Sequence, residues 1–305
     1  MATLKGQNLR VLLHNDDGPD SYNVVAMSTN CTINLVTNTE DESTKDDVSM
    51  ASKPNVTSQS WNVQVDSMDV TDAAAILTAI KNGKKFTLAW DETNTVDNQS
   101  VLNEYLSRGG DAYLNDATFV FNDRTSSTKS IQFTGTGPLS NSAYKTTSQI
   151  VGPGTYTKGQ FVRLFLSSDN SATPAKVIAA AKELQLHVSL QLENSTTKDT
   201  EDSWDVQEPT GLSYDITTTA LVRSGEAITS SVDGQMLSDI ESIYEGALPV
   251  KFEIANVSGA NQRTKGSVIV SGSVVITALT INAPNRQAAT YNATLTGWGA
   301  YTVGA

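Results

Sequence analysis

"KGQNLRVLL" at Lys5–Leu13 and "KGQFVRLFL" at Lys158–Leu166 are two versions of one segment, 153 residues apart. At that spacing Lys5–Asp46 lies on Lys158–Asp199 without a gap, and twelve of the 42 positions are identical. Unrelated sequences of ordinary composition share about one position in sixteen, so the chain repeats itself. The same spacing sets "SWNVQVDSM" (Ser60–Met68) on "SYDITTTAL" (Ser213–Leu221), with Trp61 over Tyr214. Further on the spacing becomes 162, and Gly110–Leu139 lies on Gly272–Tyr301, with Arg124 over Arg286 and "FTGTGPL" (Phe133–Leu139) over "LTGWGAY" (Leu295–Tyr301). The nine added residues fall between the matching blocks, where loops absorb length at little cost.

The repeat predicts two tandem copies of one domain, residues 1–140 and 159–305, joined by a polar segment, 141–158, in which Pro153 sits between Gly152 and Gly154. A chain of 305 residues, 38% of them hydrophobic, is long enough for each copy to bury its own core.

Within each copy the two-residue period of a half-buried strand dominates. "LQLHVSLQL" sets Leu184, Leu186, Val188, Leu190 and Leu192 against polar partners, while the equivalent stretch from Cys31 alternates less cleanly through Ile33 and Leu35. Trp61, Val63 and Val65 alternate as well, as do Phe86, Leu88 and Trp90, Phe252 and Ile254, and Ile131 and Phe133. One segment per copy has helical spacing. In "TDAAAILTAIKNG" the residues Ala73, Ile76, Leu77 and Ile80 share a face, Thr71 or Asp72 can cap the start, and Gly83 can close the end. In "QMLSDIESIYEG" Met236, Leu237, Ile240, Ile243 and Tyr244 take the same part before Gly246. The pattern predicts a mainly β fold, two tandem β-sandwiches or half-open barrels of three strands, one short helix and three or four more strands.

Between the second and third strand patterns each copy carries a long charged stretch, "NTEDESTKDDVSMASKPNVTSQ" and "ENSTTKDTEDSWDVQEPTG". Loops of that length carry function or are disordered. Both keep Thr-Lys-Asp at matching places, Thr44–Asp46 and Thr197–Asp199.

The composition excludes several function classes. A net charge of −12 and no basic cluster argue against a grip on nucleic acid. One cysteine, Cys31, rules out an intrachain disulfide framework and any site needing several thiolates. Cys31 aligns with Leu184, which makes it a small buried hydrophobe rather than a nucleophile. His14 and His187 lie outside any metal-binding spacing and are predicted to be solvated. The sequences "GTG", "GPG" and "GWG" lack the third glycine and following helix of a dinucleotide site. The acidic runs Asp16–Asp17, Glu40–Glu42 and Asp199–Asp202 lack the ligand order of a calcium loop. No enzyme, cofactor or metal is expected. The N-terminus "MATLKGQNLR" has no export signal and no stretch is long and apolar enough for a membrane helix, so the cytoplasm is the predicted compartment.

The whole constellation resembles the major tail tube proteins of long-tailed bacteriophages. It comprises an opening "GQNLRVLL" strand, an alternating strand running into an acidic "STKD" loop, a "SW" strand, a helix, and a closing run "GSVVITALTINAPNRQAATYNATLTGWGAY" (Gly272–Tyr301). The resemblance occurs once per copy and implies subunits that join sheets side by side into a hexagonal ring, with rings stacked into the tube through which phage DNA leaves the virion. It implies self-association, tape-measure and tail-terminator or baseplate partners, a place in the virion tail after assembly in the host cytoplasm, and DNA that passes without specific binding. It also assigns inter-ring or inter-subunit contact to the loop positions Glu40, Thr44, Lys45, Asp46 and Asp47, and to Glu193, Thr197, Lys198 and Asp199. Open sheet edges need partners, and if six domains close a ring, three fused pairs suffice: a homotrimer with approximate sixfold symmetry. Carboxylates along a lumen would repel phosphate over roughly 8–10 Å at physiological salt. The competing readings are a tandem immunoglobulin-like adhesin or carbohydrate-binding pair, a contractile-tail inner tube, and a tail-end adaptor ring.

Overall fold

The computed structural model describes residues 9–14, 22–25, 28–46, 51–68, 70–96, 99–102, 108–140, 157–170, 173–174, 176–178, 180–197, 202–222, 237–258 and 264–304. Most of the segment 141–158 lies outside them, as does the start of the first "KGQ".

The first half runs β1 (Leu9–His14), β2 (Tyr22–Val24), β3 (Ser28–Asp41), β4 (Pro54–Ser67), α1 (Ala73–Lys81), β5 (Lys85–Val96), β6 (Gln99–Leu102), β7 (Arg108–Asn122) and β8 (Thr128–Gly135). The second runs β9 (Val162–Leu166), β10 (Lys176–Val177), β11 (Ala181–Asn194), β12 (Gln207–Leu221), α2 (Leu237–Gly246), β13 (Val250–Ser258), β14 (Thr264–Asn282), β15 (Thr290–Gly297) and β16 (Thr302–Val303). The protein is mainly β, with these two short helices.

The elements recur at the spacings of the sequence. β3 and β11 begin and end 153 residues apart, and β8 and β15 begin and end 162 apart. Strand order recurs too: β3-β4-β8-β7-β5-β1-β2 in the first half matches β11-β12-β15-β14-β13-β9-β10 in the second, all antiparallel. The turns after β7 and β14 place Arg124 and Arg286 at matching positive φ, 63° and 62°.

Alternation builds the core as the sequence predicts. Leu184, Leu186, Val188 and Leu190 are buried, and Trp61 and Tyr214, 2% and 4% exposed, are core side chains rather than ligand platforms. Trp61 meets Trp90 across the sandwich with ring centroids 5.8 Å apart, and Tyr214 meets Phe252 at the same separation. Each aromatic ring also lies flat on a glycine. A Cβ on Gly135 would sit 2.1 Å from the Trp61 ring, and one on Gly297 would sit 2.5 Å from the ring of Tyr214. The repeated "TG" closing the last strand of each half therefore follows from packing.

Several local expectations need correcting. Short strands β2 and β10 precede the predicted second strand, so four strands, not three, come before each helix. Lys158–Gln160 do not begin a strand; Gly159–Phe161 form a 3-10 turn packed against the end of β7, and β9 starts at Val162. Asp72 occupies the N-cap of α1 but makes no capping bond; its carboxylate takes the buried ammonium of Lys129, with Nζ to Oδ2 at 2.6 Å. A buried charge demands a partner more strongly than a helix end that water can reach. Gly83 does close α1, with φ of 56°, but at the end of α2 the positive φ belongs to Ala247 rather than Gly246. In α2 Ile240 is buried and Leu237 and Ile243 are partly so, whereas Tyr244 is 46% exposed and Met236 lies outside the described residues.

Filling the space between strand and ring at the second half's closing glycine has a clear expected cost. Gly297→Ala should lower stability by about 1–3 kcal/mol, the range for overpacking a well-filled core, read as a lower denaturant midpoint at unchanged slope. A neutral Gly297→Ala would mean that Tyr214 can move aside.

Candidate assembly surfaces

The two halves are joined through backbone. β11 of the second half pairs with the last part of β7 of the first, Leu184 opposite Phe121, Leu186 opposite Phe119 and Val188 opposite Ala117. All six side chains are buried, and one cluster of apolar residues runs through both halves. Helix α1 packs at this junction, against β7, β11 and β14, and the Tyr301 hydroxyl donates to the Leu77 carbonyl at 2.6 Å.

On the opposite face of the strands the junction is ionic. His187 on β11 lies between two carboxylates, with Nε2 2.7 Å from Asp116 Oδ2 on β7 and Nδ1 3.2 Å from Asp215 Oδ2 on β12. The imidazole is thus half-buried and paired across the junction, which corrects the expectation of a solvated histidine. Burial of the ring opposes its protonation, but the hydrogen bonds and negative charges of Asp116 and Asp215 outweigh that and hold His187 above the ordinary histidine value. The doubly protonated ring can then donate to both carboxylates. Sequence reasoning missed this group, because its members are 71 and 28 residues apart and only strand register brings them together.

The polar face continues on either side of His187. Asn34 donates to Asn62 at 2.9 Å, Ser130 donates to Asp66 at 2.7 Å, and Thr277 and Thr296 meet at 3.1 Å. Alternate positions on β4, β8, β7, β11, β12 and β15 carry mostly Asn, Gln, Ser and Thr, with carboxylates that include Asp66, Asp111, Asp116, Glu183 and Asp215, but no lysine or arginine. On neighbouring β5, Lys85 reaches Asp111 at 2.9 Å.

The charged stretches are largely strand. β3 extends to Asp41 and β4 starts at Pro54, while β11 extends to Asn194 and β12 starts at Gln207, so each forms a long hairpin arm with a shorter tip than the sequence suggests. Both tips are built alike. The side chain of Asp41 accepts from the Ser43 amide at 2.9 Å, and that of Asn194, its equivalent, accepts from the Thr196 amide at 2.9 Å. Those hydrogen bonds, from the Ser43 hydroxyl first and then its amide and that of Lys53, hold the Asp41 carboxyl below its usual range. Of the predicted contact positions, Glu40 and Glu193 are exposed strand residues, and Thr44, Lys45, Asp46 and Thr197 are exposed at the tips. Asp47, Lys198 and Asp199 lie outside the described residues.

The arm of the second half docks on the first half, using the returning limb rather than the Thr-Lys-Asp tip. The Gln59 amide donates to the Ser203 carbonyl at 2.7 Å, the Asp205 amide to the Gln59 carbonyl at 2.9 Å, and the Gly137 amide to the Asp205 carbonyl at 2.9 Å. Trp204 packs there against the common core. The arm of the first half carries Leu35, Val36 and Val56 exposed.

Cys31 is partly buried on β3, and burial, aided by the charge of Asp66, pushes its thiol up to about 11, far from the reactive range. Among the described residues, no helix is long and apolar enough to cross a membrane.

No family model matches the chain, and no curated protein matches it. Among solved structures it is similar to a chain of the virion of a native gene transfer agent particle, with TM-score 0.37 and 14% identity over 49% of this chain and 99% of that one. A chain from the tail of an empty gene transfer agent particle, refined with C6 symmetry, gives TM-score 0.36 and 15% identity over 48% and 95%. The SPP1 tail tube gives TM-score 0.36 and 17% identity over 48% and 78%.

Since the proton affinity of His187 is higher in the folded protein, its contribution to stability is full below the unfolded value of about 6.5 and is lost as pH rises through the folded value. His187→Gln should therefore lower the melting temperature more at pH about 6 than at pH about 9. Equal losses at both would show that the ring acts by packing alone.

Proposed function

We propose that this chain is the structural subunit of a phage-type tail tube, made of two copies of one tube domain, residues 1–140 and 159–305, joined by 141–158. Three chains close a ring of six domains with approximate sixfold symmetry, and rings stack into a hollow tube in the virion tail. The observation that carries this reading is the single antiparallel sheet running through both halves, with one face in the common core and the other polar, without lysine or arginine at the alternate positions of β4, β8, β7, β11, β12 and β15. A sheet that continues from one unit to the next is what a ring of such units requires, since closure leaves no edge exposed.

The polar face lines the lumen. Asp66, Asp116 and Asp215 lie on it, the His187 ring is already paired with the last two, and phosphate finds no lysine or arginine at those positions of the strands to hold it, so duplex DNA passes without residence on the wall. The hairpin arms, through Glu40 and Glu193 on their strands and the segments Thr44–Asp47 and Thr197–Asp199 beyond them, reach toward the next ring or subunit. A tape-measure protein inside the tube and terminator or baseplate proteins at its ends complete the set of partners. The role is architectural and calls for no cofactor.

Light scattering on the concentrated protein should give three times the chain mass of 32.5 kDa, or a multiple of that trimer. Negative-stain images should show rings or tubes with a central hole. A protein that remains monomeric and binds glycans would overturn the proposal in favour of an adhesin.

A further inference from the structure

In the first half one strand shares a single edge between two partners. On β7 the first part of that edge, Arg108–Tyr113, is taken by β5, and the last part, Asp116–Asn122, by β11. On β14, its equivalent, β13 takes the edge as far as Val274, and no described strand takes Val275–Asn282. The partner side shows the same gap. β11 has β12 on one edge and β7 on the other, whereas β3, its equivalent, pairs with β4 alone among the described residues. The chain thus contains one completed contact between halves and, at its two ends, the separate sides of another.

We infer that β14 of one chain pairs antiparallel with β3 of the next, in the register that β7 keeps with β11, so that a second copy of this chain completes the sheet. This rests on the ring reading above and gives it a residue-level interface. Carried across by the two repeat spacings, Phe119–Leu186 becomes Ile281–Ile33, Ala117–Val188 becomes Leu279–Leu35, and Phe121–Leu184 becomes Ala283–Cys31. Phe119 and Val188 are 0% and 1% exposed at the completed contact, and Ile281 and Leu35 are 48% and 53% exposed at the open one.

Two further elements repeat the pattern. α1 and α2 correspond at a spacing of 164, which places Gly83 on Ala247, the positive-φ residue after each helix. Ile80 of α1 is fully buried, while the equivalent Tyr244 of α2 is 46% exposed and nearby Leu248 is 69% exposed. The second half's arm covers Thr136 and sets Pro209 against Gly83. The equivalent arm of a neighbouring chain would bring exposed Val56 against Ala247 and cover Trp298, now 54% exposed. Of the nine large apolar side chains exposed among the described residues, Leu35, Val36, Val56, Tyr244, Leu248, Ile281 and Trp298 all fall on this seam. Scattered exposed hydrophobes need no explanation, but a set gathered on two complementary surfaces marks an interface.

The contact is heterologous, since the β14 side and the β3 side differ, and that makes it separable by mutation. Leu35→Asp disables only the β3 side and Ile281→Asp only the β14 side; both side chains are exposed, so circular dichroism and melting temperature should stay near wild type. Each variant alone should be monomeric, and an equimolar mixture should give one-to-one dimers at twice the 32.5 kDa chain mass, with no rings. In a Cys31→Ser background, Ile33→Cys with Ile281→Cys should oxidise to a covalent trimer, while Ile33→Cys with Asn282→Cys, facing opposite sides of the sheet, should not. A mixture that stays monomeric, or variants that assemble like wild type, would overturn the seam while leaving the ring reading intact if wild type forms rings. A wild-type chain that never assembles at any concentration would overturn both.

Discussion

The structure depends on the backbone pairing of β7 with β11. Strand edges carry unpaired N–H and C=O groups, and burying them without partners costs more than any side chain nearby could recover. Seven residues of each strand from Glu183 to Ser189 and from Asp116 to Asn122 satisfy one another, and that register determines the rest of the junction. It aligns Leu186 with Phe119 so that the apolar faces merge into one core, and it brings His187 to Asp116 on the opposite face. α1 can then lie across the join with Ile80 fully buried. Where the same pairing is missing, at β3 and at the end of β14, the same classes of residue remain exposed.

Much of the fold was legible in the sequence because the repeat and the two-residue period are local signals. The spacing of 153 aligns β3 with β11 without adjustment, and the alternation in "LQLHVSLQL" marks the buried face correctly. The failures were those of tertiary context. Asp72 has the chemistry of a cap, yet the buried ammonium of Lys129 claims it. Tyr244 has the spacing of a buried residue, yet among the described residues it stays 46% exposed. The poor alternation after Cys31 was visible from the start. Its cause lies in the register: Leu35 lies at the site of Val188, on an edge for which the described residues hold no partner.

The assembly surfaces were less legible. The repeated Thr-Lys-Asp stands at the arm tips, but the second half's arm touches the first half through Ser203, Asp205 and Gln207, by main-chain groups and hydroxyls. Backbone contacts leave little trace in side-chain identity, so "SWDVQ" reads as an ordinary polar loop. The ionic group at His187 was equally hidden, since each residue alone is an unremarkable polar position of a strand.

In the proposed ring, comparing the two kinds of junction gives the repeat a physical meaning. At the junction within the chain the polar face holds His187, Asp116 and Asp215; at the equivalent positions of the seam between chains stand Asn34, Ala278 and Asn62. The first is joined by charge-assisted bonds that weaken as the imidazole loses its proton; the second would be joined by amides and apolar contacts with no titrating group at those places. A single-domain subunit would have to use one surface for every junction of its ring. With two such units in one chain, the internal junction forms intramolecularly at high effective concentration, and in the proposed ring the external one alone would set when and at what concentration chains join. Aliphatic pairs such as Ile281–Ile33 would suit that role: they gain from burial in proportion to area and carry no charge for pH to alter or salt to screen. The internal junction can therefore diverge toward charge without affecting the association of neighbouring chains.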